Sequence, residues 1–82
     1  MKSRNRVGSI LHISSSSGNL ILRAERQVKI GENVADSRGK RIGQVFDIFG
    51  PVEAPFISVK TRTKDPERLL GEDLFLGKEK RQ

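Results

Sequence analysis

The sequence predicts an all-β domain, a small closed or partly open barrel of about six strands. Three observations carry this. No segment shows a long apolar pattern at helical spacing. The apolar residues fall in short runs bounded by Gly, Ser, Asp and Pro. And 82 residues, 34% of them hydrophobic, can fill only one thin core, which a sheet closed on itself uses well because closure leaves no edge unpaired.

The elements follow in order. "RVGSILHI", Arg6 to Ile13, reads as the first strand, "SSSSGN" as a turn, and "LILRAE", Leu20 to Glu25, as the returning strand of a hairpin. Ser14 to Ser17 is a low-complexity loop tip. "IGENVAD" leads into a third strand, and in "DSRGK" Gly39 can take the positive φ of a turn before "RIGQVFDIF" begins. A second hairpin is thus expected to close over Ser37 to Lys40. The last strands are Phe56 to Lys60 and Glu72 to Gly77, joined by "TKDPERLLG" with one helical turn after Pro66. The reading is a single domain, 1–82, with short basic tails at about 1–6 and 77–82.

The formal charge is +6, but its position matters more than its sum. Lys2, Arg4 and Arg6 at one end, and Lys78, Lys80 and Arg81 against Glu79 at the other, supply five of those six charges. The span from Val7 to Gly77 holds ten basic and nine acidic residues, a weak footprint for a dedicated RNA-reading face. The tails are either solvated surface or unspecific, salt-sensitive phosphate contacts, with Arg4, Arg6, Lys78, Lys80 and Arg81 as the candidates. The chain has no cysteine, which excludes a disulfide frame and a thiolate metal site. No run approaches the ~20 apolar residues of a membrane span, and the expectation is a soluble, cytoplasmic protein without membrane contact.

Catalytic chemistry finds little support. His12 is the only histidine and sits on an alternating strand beside the Ser-rich loop, which suits a surface or edge residue better than a general base. Asp36 and Asp47 come without metal-ligand spacing or an activated nucleophile, and Asp47, flanked by apolar residues, suits a structural hydrogen-bond acceptor. Gly31, Gly39 and Gly43 do not open a helix as a phosphate cradle does. The expectation is a protein that is not an enzyme and uses no cofactor.

The most informative stretch is "VFDIFGPVEAPFISVK", which places three of the four phenylalanines around one proline-bearing corner. Strict alternation puts Ile42, Gln44, Phe46 and Ile48 on one face and Gly43, Val45, Asp47 and Phe49 on the other. Both faces are partly apolar. One set is therefore either hidden by a bulge or register change, or left at the surface, where an apolar patch usually meets a partner. Gly50 permits an unusual φ, while Pro51 and Pro55 each fix a dihedral and remove an N–H donor. After the corner, Ile57 and Val59 alternate with Phe56, Ser58 and Lys60, which leaves Phe56 on the mainly polar face. On the residues alone the corner is either core and turn or a partner surface. The surface reading assigns it Ile48, Phe49, Gly50, Pro51, Val52, Pro55 and Phe56, and an exposed apolar corner also favours self-association of the free chain.

From Val34 to Lys60, "VADSRGKRIGQVFDIFGPVEAPFISVK" resembles the core of the small glycine- and arginine-rich-protein (Gar-type) family of box H/ACA ribonucleoproteins. The shared pattern is Val34 and Asp36 at a strand end, Gly39 in the turn, Ile42, Gly43 and Val45, the continuous "DIFGPV" from Asp47 to Val52, then Pro55, Val59 and Lys60. "GSILHI…LILR" and "PERLLGEDLFL" are similar to the family's flanking strands, so the likeness spans most of the chain. The Gly/Arg-rich tails of eukaryotic members are absent, and the chain resembles the minimal archaeal-type form.

That resemblance implies a small β-barrel similar to those of translation-factor domains, in a non-catalytic subunit of the guide-RNA-directed pseudouridine synthase that modifies ribosomal RNA. The implied partner is the catalytic domain of the dyskerin-type synthase, with guide RNA and substrate RNA met indirectly through the complex. The implied effect is on a mobile substrate-holding loop of the synthase, favouring turnover. Eukaryotic relatives are nucleolar. A related assembly-factor family shares this core; the short length favours the structural subunit. The runner-up is a small RNA-binding barrel that contacts guide or ribosomal RNA directly. Such barrels usually stack bases on exposed aromatics, and this chain has no Tyr or Trp and only four Phe.

Overall fold

Short alternating runs separated by turn-forming residues fold as six strands in a computed structural model that describes residues 5–77. They are β1 (Arg6–Ile13), β2 (Leu20–Arg23), β3 (Asn33–Ala35), β4 (Arg41–Phe49), β5 (Phe56–Thr61) and β6 (Asp73–Leu76), with one 3₁₀ turn at Pro66–Leu69. All neighbours are antiparallel, and the order β1-β2-β5-β4-β3-β6 closes on itself as a barrel. The expected hairpins β1–β2 and β3–β4 are both present. The second and last strands are shorter than expected, and the single turn after Pro66 is there.

Every strand sends side chains inward. Val7 and Ile10 of β1, Leu20 and Leu22 of β2, Val34 of β3, Val45 of β4, Ile57 and Val59 of β5, and Leu74 of β6 form one buried cluster. Full burial of such a side chain stabilises by about 1.5–3 kcal/mol relative to leaving it in water. The β3–β4 turn is built by Asp36, whose Oδ1 accepts the backbone N–H groups of Arg38 and Lys40, each at 2.9 Å, while Gly39 takes φ +88°. Gly43 is required for a different reason. A Cβ there would lie 2.0 Å from the carbonyl oxygen of Lys60, so the approach of β5 to β4 admits no side chain.

A bulge resolves the two-faced pattern of β4. Val45 pairs with Val59 and Asp47 with Ser58, leaving Phe46 as the extra residue. Beyond it the phase reverses, so that Val45 and Ile48 both turn to the core while Phe46 and Phe49 stay exposed. The same device appears in the β1–β2 hairpin, where the register shifts between Ile10 and His12 and Leu11 is exposed. Ser58, which alternation places outward with Phe56 and Lys60, is buried instead, and its Oγ accepts a 2.9 Å hydrogen bond from Asn19 Nδ2. Both faces of β5 are covered at that point, and the polar pair satisfies itself.

Candidate protein-binding corner

β4 and β5 lie antiparallel from Gly43↔Thr61 to Phe49↔Phe56, and the chain between them is the proline-bearing corner. Two features stiffen it. Gly50 takes φ +93° and lies under the Phe56 ring, whose Cδ2 would be 3.0 Å from a Cβ at that position. The N–H of Ala54 bonds the Pro51 carbonyl at 3.2 Å, and the Pro55 carbonyl accepts the N–H of Ala24 at 2.9 Å, which ties the corner to the end of β2. Pro51 and Pro55 add their fixed φ.

The seven residues assigned to the corner are brought together. Ile48, Phe49, Gly50, Pro51, Val52 and Pro55 line one side of a groove of about 330 Å³. Phe56 stacks on Phe49 with ring centroids 5.8 Å apart. They share the work unequally: Ile48 packs against the core and Pro55 is half-buried, whereas Val52 is 95% exposed and Phe49 44%. The facing wall comes from Ala24, Arg26, Gln27 and Val28 in the β2–β3 connection. Sequence reasoning missed this wall, because only Val28, an isolated apolar residue in a polar loop, hints at it. It also gave no role to Ile30 and Phe46, both exposed; the Gly31 N–H, beside Ile30, bonds the carbonyl of Val45, beside Phe46, at 2.8 Å.

The groove is apolar along the corner and polar on the Arg26–Gln27 side, a surface that can take an apolar anchor with a polar rim. Asp47 Oδ1 accepts the N–H of Ile48 at 2.9 Å, which is a structural use of that carboxylate.

Of the candidate phosphate contacts, Arg4, Lys78, Lys80 and Arg81 lie outside the described residues. Arg6 opens β1 rather than trailing as a tail. Its guanidinium pairs with Glu25 and donates to Ser9 Oγ and Asp73 Oδ1, both at 3.0 Å, and Ser9 Oγ donates to the same Asp73 oxygen at 2.7 Å. The hydrogen bond from Arg6 and then the one from Ser9 hold the Asp73 carboxyl below the usual carboxylate range, and Asp73 in turn raises Arg6. This cation is already compensated by two carboxylates.

No family model matches the chain. It is 44% identical over 75 residues to an uncharacterized protein of Methanothermobacter thermautotrophicus, covering 87% of this chain and 80% of that one. A second relative, an uncharacterized protein of Methanocaldococcus jannaschii, is 47% identical over 58 residues, 71% of this chain and 69% of the other. Among solved structures, the Gar1 domain of NAf1 superposes with a TM-score of 0.66 at 22% identity, covering 93% of this chain and 88% of that domain. The chain therefore belongs to one family with the Methanothermobacter and Methanocaldococcus proteins, and its barrel has the Gar1-domain fold.

Proposed function

We propose that this protein is a non-catalytic, cytoplasmic subunit of the H/ACA guide-RNA-directed pseudouridine synthase complex, acting in rRNA pseudouridylation and ribosome biogenesis. It docks on the dyskerin-type catalytic subunit through Ile48, Phe49, Gly50, Pro51, Val52, Pro55 and Phe56. The observation that carries the reading is the corner itself: Ile48 to Val52 of the "DIFGPV" segment and the following Pro55 form an apolar groove wall, backed by Phe56 stacked on Phe49, on a Gar1-type barrel. A preorganised corner loses little conformational entropy on docking, and its apolar residues can fill a partner groove. An effect on the synthase's substrate loop requires different affinity for the open and closed states of that loop, since equal binding to both shifts nothing.

Titration calorimetry of the full chain into the synthase subunit without RNA tests this. Val52→Asp should weaken docking at least tenfold without unfolding the barrel. Undiminished docking by that variant sinks the corner assignment, and absence of docking by the native chain sinks the function. A second reading is a related assembly factor with the same core and docking surface, and the Gar1-domain fold suits it equally. The two separate on whether the chain stays in the particle once guide RNA and substrate are added.

A further inference from the structure

By count the body of the chain is nearly neutral, yet the fold sorts its charges. Arg38, Lys40, Arg41, Lys60, Arg62 and Arg68 line two adjoining clefts, of about 340 and 560 Å³, that share Arg41, Ile42 and Arg62. All six cations are exposed, and among the described residues none has a carboxylate within ion-pair distance. The acids in the same clefts are Asp36, Asp65 and Glu72, and Asp36 is already occupied by the backbone N–H groups of its own turn.

The topology explains the gathering. Arg38 and Lys40 sit on the β3–β4 turn, Arg41 begins β4, Lys60 lies opposite Gln44 near the end of β5, Arg62 follows β5, and Arg68 belongs to the 3₁₀ turn. Arg41 is eight residues from Phe49, about 25 Å along an extended strand, so the clefts lie at the end of the β4–β5 pair remote from the corner.

What such clefts can hold follows from what lines them. No aromatic residue does, so bases find no stacking platform and a protein finds no aromatic anchor. Long cations over a floor of Ile42 and Leu69 suit a chain of regularly spaced anions.

We propose that the two clefts form one groove that holds the sugar–phosphate backbone of an RNA strand, with Arg41 and Arg62 at its centre. Lys60 extends the groove on one side, and Arg38, Lys40 and Arg68 on the other. Recognition is independent of base sequence and falls with salt. The choice of RNA rests on the function proposed above; the phosphate chemistry rests on the groove. The protein would then touch its particle at both ends of one hairpin, protein at the corner and RNA at the groove.

The test is fluorescence anisotropy of the full chain with a labelled 20-nucleotide single-stranded RNA of mixed sequence, from 50 to 200 mM salt. Arg41→Glu combined with Arg62→Glu should lose about 10- to 100-fold in affinity at the lowest salt, and the slope of log K against log salt should fall by about 1.4. Arg41→Gln with Arg62→Gln should lose less in the same direction, and serves if the reversed pair fails to fold by circular dichroism. Lys78→Gln, Lys80→Gln and Arg81→Gln together should leave most of the affinity. Docking on the synthase subunit should be unchanged in the groove variants, so failure here and failure of the corner are told apart. RNA binding that survives loss of the groove charges, no RNA binding at 50 mM salt, or equally tight binding of a polyglutamate peptide each overturns the proposal.

Discussion

Phe49 and Phe56 face each other across the last pair of the β4–β5 ladder, their rings stacked at 5.8 Å with 25° between planes. The pair joins the ends of β4 and β5 and supports the corner at once, so removing it has two consequences that can be measured separately. Offset aromatic pairs contribute about 0.5–1.5 kcal/mol beyond the area they bury.

Phe56→Ala is therefore expected to lower stability by about 1–2 kcal/mol and to weaken docking on the synthase. Val52→Asp, at a site 95% exposed, should leave stability within about 0.5 kcal/mol while weakening docking as strongly. Thermal unfolding followed by circular dichroism gives the first quantity and calorimetric titration the second. A Val52→Asp variant that unfolds would place Val52 in the core.

Gly43→Ala should cost about 2–3 kcal/mol, although it adds only a methyl group, because the new Cβ meets the backbone of Lys60 and not a movable side chain. Gly39→Ala has open space but a φ of +88°, so its cost is backbone strain alone and should be about 1 kcal/mol. Urea denaturation of the two variants checks the order.

Ser58→Ala removes the acceptor of a buried amide and should destabilise by about 1–3 kcal/mol, since Asn19 and Ser58 are each only 8% exposed. The double variant Asn19→Leu, Ser58→Ala should recover part of that loss in a denaturation midpoint, because no polar group is then left unpaired.

Asp73 supplies a pH signature. Its carboxyl titrates lower in the folded chain than its ordinary 3.8, so its contribution is fully present above that value and disappears as pH falls through the lowered one. Stability at pH 3 should therefore drop less in Asp73→Asn than in the native chain, relative to each at pH 7. The difference should be modest, because Asp73 is 43% exposed and the Arg6 pair is screened. Equal acid dependence in both would assign the loss to other carboxylates.

Strand identity was legible because alternation and turn residues agree along the chain; β1 and β4 fall on the residues that the pattern marks. The inward direction of Val45 and Ile48 together was not, since a bulge at Phe46 reverses the phase without needing any special residue. Arg6 looked like part of a basic tail because its partners Glu25 and Asp73 are 19 and 67 residues away. The corner was legible as a contiguous segment, but its facing wall, Arg26 to Val28, is not adjacent in sequence and has no pattern. The basic groove was invisible for a related reason. A charge count over Val7 to Gly77 averages cations that topology later collects from β4, β5 and two turns.

The barrel has one narrow seam: among the described residues β3 meets β6 through the pairs Val34↔Leu76 and Ala35↔Phe75 and the Gly77 N–H bonded to the Asn33 carbonyl, whereas β4 and β5 share six pairs. Transient opening should start where the fewest backbone bonds hold, so amide exchange is expected to be fastest along that junction. The segments flanking it, from Asp36 to Arg41 and from Arg68 to Glu72, are also walls of the basic clefts. Opening at the seam should therefore widen and narrow the cationic side of the molecule, while the corner, on the ladder with the most pairs, is expected to keep its shape. On the two proposals above, one end of the hairpin would serve as a fixed peg and the other as a clasp.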